Sequence, residues 1–329
     1  MDRMIRINAT GTGPELAFSP PHGRRSPGPG EVAVRLHAAA LNFADLLMAE
    51  GRYQDTPPVP FTAGLEGAGV VEAAGPGVTL APGTRVAVSA HGTLADRGVF
   101  AADRCTPIPD AMPMEDAAGF QVAYGTSHLA LTGPGRLAAG ETVAVLGAGG
   151  GVGLTAVEIA AVSGARVIAI ARGADKLEAA ESAGATELID SSEVEDLTAA
   201  LKALGGVDIV YDAVGDAPGL AAFRALRPGG RHLLIGFAGG RPPALPLNHA
   251  LVKNISIIGF YWGGYRSTDP AALRASLDAA FALYAAGRLR PTTGTVLPLE
   301  EAATGYALLR GRGAVGKVVL SIAPEPGGA

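Results

Sequence analysis

A chain of 329 residues, 48% hydrophobic and 17% charged, is long enough for two domains with cores of their own and too apolar to remain disordered. A net charge of −5 without any block of Lys or Arg argues against a nucleic-acid surface or an anionic membrane as the main partner. The lone cysteine, Cys105, excludes an internal disulfide and a four-cysteine zinc cluster.

In chain order, the opening MDRMIRINATGTG lacks the apolar core of a signal peptide, so a cytoplasmic protein is expected. Residues 31–37, EVAVRLH, alternate apolar and polar and predict a half-buried strand. Short strands separated by Gly/Pro turns then run to about residue 110, the pattern of a small β-rich unit. A helical pattern follows over 113–131. Next come apolar runs at 141–146, 166–171, 187–190, 207–212, 231–237 and 254–260, most of them linked by helical segments such as 152–162, 175–183 and 193–204. Strands that are apolar throughout and alternate with helices predict a doubly wound parallel sheet covered on both faces. The stretch 142–170 is broken by glycines and by Glu158, so it reads as buried core and not as a membrane span. A helix is expected over 270–287, and the tail 292–322 returns to short strands and is read as rejoining the first unit. The expected domains are therefore 1–120 with 264–329, and 121–263.

The first apolar run leads into Leu146-Gly-Ala-Gly-Gly-Gly-Val-Gly153. A strand-to-helix turn this poor in Cβ atoms lets backbone approach a pyrophosphate, and the N-terminus of the next helix offers free N–H groups and the positive end of a dipole. Gly150, Gly151, Val152 and Gly153 are the expected phosphate cradle of a dinucleotide. The second strand would normally end in an acid that binds the ribose 2′-OH, but Ala171 stands there, followed by Arg172 and Lys176. Two cations can pair with a 2′-phosphate, which favours NADPH over NADH. The bland alternative is that both are ordinary solvated charges.

LNFADLLMAEGRYQDTPPVPFTAGLEGAGVVEAAGPGV, YGTSHLAL, LGAGGGVG, LNHALVKNISIIGFYWG and the final GKVVL resemble the zinc-independent quinone oxidoreductase (zeta-crystallin-like) branch of the medium-chain dehydrogenase/reductase superfamily, over nearly the whole chain. The resemblance implies a Rossmann domain joined to a GroES-like β-rich catalytic domain. Zinc-dependent members carry a Cys where Asn42 stands and a His where Leu65 stands, beside a Glu matching Glu66. With an amide and an alkyl group in those places, no bound metal is expected, and Glu66 becomes a structural carboxylate bonded to N–H groups or to a nearby cation. The histidines at 22, 37, 91, 128, 232 and 249 show no short metal-ligand spacing, and most are expected at the surface or at caps.

Without a Lewis acid, the substrate should itself be electrophilic: a quinone, an enone or an enoyl thioester, reduced at a conjugated carbon. Tyr53 matches a tyrosine thought to donate a proton in related enoyl reductases, or else is a loop tyrosine packed at the cleft. Asn42 is read both as the start of a helix, in an Asn-x-x-Asp capping box with Asp45, and as a catalytic residue near the nicotinamide ribose or substrate. The resemblance places Thr126 at the nicotinamide end, Lys317 on the cofactor from the tail, and Phe237 and Phe260 among the cofactor contacts. Ser191 stands where relatives often have a tyrosine and can still donate one hydrogen bond. Ser127 and His128 are rejected as a nucleophile pair, because neighbours on a helix diverge. Trp262 and Tyr265 are candidates for a substrate wall. The resemblance implies that the strand 254–260 lies at the sheet edge and pairs two chains as a homodimer, which would also cover an apolar edge. Three readings stay open: quinone reductase, 2-alkenal or enoyl-thioester reductase, and a non-catalytic NADPH-binding scaffold.

Overall fold

The computed structural model describes residues 1–18 and 25–324, so His22 lies outside the described residues. The chain divides into two compact units, one formed by Met1–Val122 with Pro291–Ala329 and the other by Ala123–Arg290. The tail thus joins the first unit, as its strand pattern suggests. The helix Pro270–Ala285, however, belongs to the second unit and not to the first, where the sequence boundary at 263/264 put it. Ser276 on this helix meets His128 Nδ1 at 2.8 Å, a bond within the second unit.

The second unit is built on six parallel strands, β1 (Thr142–Leu146), β2 (Arg166–Ala171), β3 (Glu187–Asp190), β4 (Val207–Asp212), β5 (Leu226–Leu234) and β6 (Ser256–Gly259), in the order 3-2-1-4-5-6. Every residue of β1 is buried, which is why its sequence shows no alternation. Leu146, Ile168, Val210 and Phe223 belong to the core beneath the helices. β5 starts at Leu226, ahead of the apolar run expected to form it, because the RPGG segment is accommodated by a register shift against β4. The order reverses between β1 and β4, and in such sheets ligands bind outside the strand ends at that point.

The first unit carries a mixed sheet ordered Thr293–Pro298, Lys317–Ser321, Glu31–Leu41, Glu66–Ala74, Arg85–Val88 and Cys105–Pro107, with Arg97–Ala101 also paired to Glu31–Leu41. A smaller three-stranded sheet holds Arg3–Ile7 between Glu15–Phe18 and Phe61–Thr62. The strand Glu31–Leu41 runs four residues beyond its alternating part, since from Leu36 onward it is buried on both faces. A bulge between Leu36 and Ala38 sets off His37, whose Nδ1 lies 3.1 Å from the Ala323 carbonyl. The glycines around Glu66 follow from the same pairing: a Cβ on Gly69 would stand 2.0 Å from the Arg35 carbonyl oxygen. The expected single helical stretch over 113–131 is two helices, Met114–Ala118 and Phe120–Thr132, divided at Gly119.

Candidate active site and cofactor cradle

In the first unit, sheet register assembles a buried polar cluster. Leu41 pairs with Val318 and Ala40 with Glu66, so Asn42, Glu66 and Lys317 meet at the end of three adjacent strands. The Lys317 ammonium donates to the Leu41 carbonyl at 3.1 Å, to Asn42 Oδ1 at 2.7 Å and to Glu66 Oε1 at 2.7 Å. Glu66 is fully buried, and its Oε1 also accepts from Asn42 Nδ2 at 3.0 Å. Its Oε2 accepts from the N–H of Val122 at 2.9 Å, in the first turn of the helix Phe120–Thr132, where that donor has no partner within the helix. Gly119 leaves room beside the cluster: a Cβ there would come 3.2 Å from the Lys317 stem, a tight contact to which the stem would have to yield. The buried carboxylate in TAGLEGAGVV is therefore paired with a cation and a backbone N–H. Lys317, expected on the cofactor, instead spends all three ammonium hydrogens on acceptors of its own unit.

Asp45 completes the cluster. Its Oδ2 accepts from the Asn42 N–H at 2.8 Å, as a capping box requires, while Oδ1 is buried without a partner. Burial pushes the Asp45 carboxyl up to about 7, with the Glu66 charge adding to the effect and Lys317 and the Asn42 N–H opposing it. An acid whose pKa is higher folded than unfolded stabilises fully below the unfolded value. That contribution is lost as pH rises towards the folded value and is constant above it. Asp45→Asn, which cannot ionise, should therefore gain stability relative to wild type between about pH 4 and pH 7, by about 1.4 kcal/mol per unit crossed at most. Urea unfolding of both proteins across this range checks it, and parallel stability curves would refute it.

In the second unit, β1 runs into a turn at the point where the strand order reverses. Gly147 has φ of 74°, and Gly150 caps the helix Gly151–Val162. The N–H groups of Gly151, Val152 and Gly153 open that helix without acceptors inside it. A Cβ on Gly153 would stand 2.0 Å from the Gly147 carbonyl oxygen, so helix and turn pack as close as glycine allows. The Lys176 stem lies over the turn, since a Cβ on Gly149 would meet Lys176 Cβ at 2.4 Å. These are features of a pyrophosphate cradle, and a bound dinucleotide fits the residues present.

Arg172 is exposed just past β2. Register sets Asp190 opposite Ala171, and its carboxylate accepts from the Gly173 N–H at 3.0 Å. The sequence reading found no carboxylate at the end of β2; folding brings one there from β3. Ser192 occupies its other oxygen through its N–H and hydroxyl, at 2.8 and 2.5 Å, and holds the acid below the usual carboxylate range. Ser191 is exposed beside it.

Thr126 is buried on the helix Phe120–Thr132, and its hydroxyl has no hydrogen-bond partner among the described residues. Phe237 is 37% exposed and lies over the turn at Gly215, where an added Cβ would meet its Cδ1 at 2.9 Å. Phe260 is buried, with its ring 5.3 Å from that of Tyr265. Trp262 has the Arg266 guanidinium 4.9 Å over one face of its ring. Tyr53 sits half-buried in the loop after the helix Phe43–Ala49. Ser127 bonds Thr155 at 2.7 Å and Tyr211 at 2.9 Å while His128 turns to Ser276 at 2.8 Å, so the two diverge as a helix demands.

Two histidines are exceptions to the expectation that most lie at the surface or at caps, and one acid was passed over. His37 and His232 are buried, not at the surface, because each has an oxygen to bond: Ala323 for the first, Asp212 Oδ2 at 3.0 Å for the second. Asp212 ends β4 and accepts from the N–H groups of Val214 and Gly215 at 3.0 and 2.7 Å, fixing the turn beside the switch point. An acid closing an apolar strand, three residues before a glycine, was the signal for it.

Among the described residues, no group of three or more His, Cys, Asp or Glu is arranged to hold a metal ion. The two positions at which zinc-dependent relatives carry Cys and His present an amide and an alkyl group, and the Glu66 carboxylate beside them is already paired with the Lys317 ammonium, a donor set that does not fit zinc. No described helix is long and apolar enough to cross a membrane.

Two family models match, "Zinc-binding dehydrogenase" over residues 151–278 and "Alcohol dehydrogenase GroES-like domain" over 28–168. Quinone oxidoreductase-like protein 2 of Rattus norvegicus is 38% identical over 90% of this chain and 86% of its own length. Among solved structures, the quinone oxidoreductase of Thermus thermophilus, also solved with NADPH, is 31% identical, covers 97% of this chain and 99% of its own, and superposes with a TM-score of 0.84. The Escherichia coli quinone oxidoreductase complexed with NADPH is 26% identical, covers 97% and 99%, and gives 0.88. With a 3-2-1-4-5-6 parallel sheet, a GroES-like unit and these relatives, the chain belongs to the quinone oxidoreductase-like branch of the medium-chain dehydrogenase/reductase superfamily.

Proposed function

We propose that the protein is an NADPH-dependent reductase of conjugated acceptors, most simply a quinone reductase acting in the cytoplasm. The observation that carries this reading is the ammonium seated 2.7 Å from both Asn42 Oδ1 and Glu66 Oε1. A site whose cation is already a protein side chain repels a second one and has no open coordination position for a substrate oxygen. An unactivated alcohol then lacks the help it needs to lose its proton, whereas a quinone or enone accepts electrons directly. Bound NADPH supplies the hydride. Gly151, Val152 and Gly153 would hold its pyrophosphate, with Thr126, Phe237 and Phe260 along the rest of the cofactor. Arg172 and Lys176, two cations against the one Asp190 carboxylate whose oxygens are already bonded, favour the 2′-phosphate of NADPH, with Ser191 able to add one hydrogen bond. Asn42 would donate an amide N–H to the oxyanion that develops on the acceptor, and Tyr53 would protonate it.

β6 is the edge of its sheet, and Leu247, Leu251 and Val252 on the preceding helix are 70%, 79% and 76% exposed. An unpaired edge beside bare apolar side chains supports a homodimer through residues 254–260.

Oxidation of NADPH against a panel of quinones, enones and enoyl thioesters, with aliphatic alcohols assayed in the reverse direction, tests the reading. Turnover is expected with at least one conjugated acceptor, at about 100-fold lower kcat/KM after Asn42→Ala. Preference for an enoyl thioester or a 2-alkenal selects that alternative. Tight NADPH binding with every acceptor inert would mark a cofactor-loaded scaffold, and chelator-sensitive oxidation of a plain alcohol would overturn the proposal.

A further inference from the structure

We infer that Lys317 is a positioning residue that works through Asn42, fixing which end of the side-chain amide faces the reacting acceptor. The inference rests on the reading of Asn42 as a hydrogen-bond donor.

A carboxamide can sit in either of two orientations, with oxygen and nitrogen exchanged. Here Oδ1 faces the Lys317 ammonium at 2.7 Å and Nδ2 faces Glu66 Oε1 at 3.0 Å. Exchanging them would turn an N–H against an ammonium that offers only hydrogens, and a carbonyl oxygen against a carboxylate that offers only lone pairs. Asn42 is 9% exposed, Lys317 9% and Glu66 0%, so little water is present to soften either mismatch. The ion pair therefore admits one orientation.

That orientation has a chemical consequence. Nδ2 carries two hydrogens and gives one to Glu66 at 3.0 Å; the other makes no hydrogen bond of good geometry among the described residues, although the Asp45 carboxylate is close enough for the amide to hold its pKa down. Lys317 has nothing similar to offer, because Leu41, Asn42 and Glu66 take all three of its hydrogens. Of the two residues, Asn42 is the one equipped to meet a ligand, and Lys317 stands behind it. A cation on Oδ1 also draws electron density from the amide and strengthens the N–H as a donor to a developing oxyanion.

The test is a double-mutant cycle on kcat, using NADPH and the best acceptor found in the panel. Asn42→Ala and Lys317→Met are each expected to lower kcat by about 100-fold. KM for NADPH should change by less than about threefold, since the cradle lies in the other unit. The Asn42→Ala/Lys317→Met protein should be no slower than Asn42→Ala within about twofold, because coupled residues do not add. Lys317→Arg, which keeps the charge, should recover part of the loss. Should Lys317→Met fail to fold, Glu66→Gln/Lys317→Met leaves no unpaired buried charge, and combined with Asn42→Ala it closes the same cycle. Multiplying losses, or a KM for NADPH that rises in step with the fall in kcat, would overturn the inference while leaving Asn42 in its role. Unchanged kcat in Asn42→Ala would remove the donor role itself, and this inference with it.

Discussion

Glu66→Ala is expected to destabilise the first unit by about 3–5 kcal/mol. The carboxylate is fully buried and joins three donors: the Lys317 ammonium, the Asn42 amide and the Val122 N–H. Deleting it leaves a buried cation facing a cavity and frees a helix N-terminal donor with no water to replace the lost acceptor. An exposed pair such as Arg25–Glu31, whose arginine side chain is 60% exposed, is screened by solvent and adds little, which is the contrast that burial creates. Glu66→Leu/Lys317→Met should recover most of the loss, because an apolar pair of similar volume carries no desolvation cost. Trp262, the one tryptophan, lies in the second unit, so urea unfolding should be followed by far-UV circular dichroism as well as by fluorescence. A loss below about 1 kcal/mol would mean that water enters the cluster and that Glu66 is not its hub.

The parallel sheet was legible because its physics is local. A strand covered on both faces must be apolar throughout, as β1 is, and β1 to β4 fall within a residue of the strands expected from the sequence. The glycine turn was legible for the same reason: a close approach of backbone to backbone excludes Cβ atoms, and the residue type records it. Reading failed where a side chain's surroundings come from distant strands. Lys317 looks like any lysine opening an apolar strand; only its register beside Leu41 turns it onto Asn42 and Glu66. Asp190 looked remote from the end of β2 until parallel pairing set it opposite Ala171. His37, on the polar side of an alternating strand, and His232 could not be singled out as buried, because nothing in a sequence shows which carbonyl or carboxylate will stand next to a ring. Gly119 resembles a tolerated helical glycine, yet it ends a helix and makes room for the Lys317 stem. The metal question was half legible: two missing ligands could be seen, but the ammonium lying between Asn42 and Glu66 could not.

Gly153→Val should abolish useful NADPH binding, raising Kd by about 100-fold or more. A Cβ at this position would lie 2.0 Å from the Gly147 carbonyl oxygen, 2.7 Å from its carbon and 2.9 Å from Ala148 Cα. All three are backbone atoms, so no flexible side chain can move aside, and either the turn opens or the helix is pushed away from it. Both responses re-aim the N–H groups of Gly151 and Val152. Each hydrogen bond to a phosphate oxygen contributes about 1.5–3 kcal/mol, so misdirecting one or two of them accounts for the loss. Gly150→Ala separates turn geometry from ligand contact: at φ of −90° an added Cβ finds its nearest atom 3.5 Å away, an ordinary contact. Its melting temperature should match wild type, and any weakening of NADPH binding there reports the pyrophosphate meeting a methyl group. Gly153→Val should lose both melting temperature and affinity. Isothermal titration with NADPH and thermal melts of the three proteins provide the comparison. An affinity for Gly153→Val within about tenfold of wild type would show that the cofactor does not depend on this turn, since a tenfold change is worth less than one such hydrogen bond.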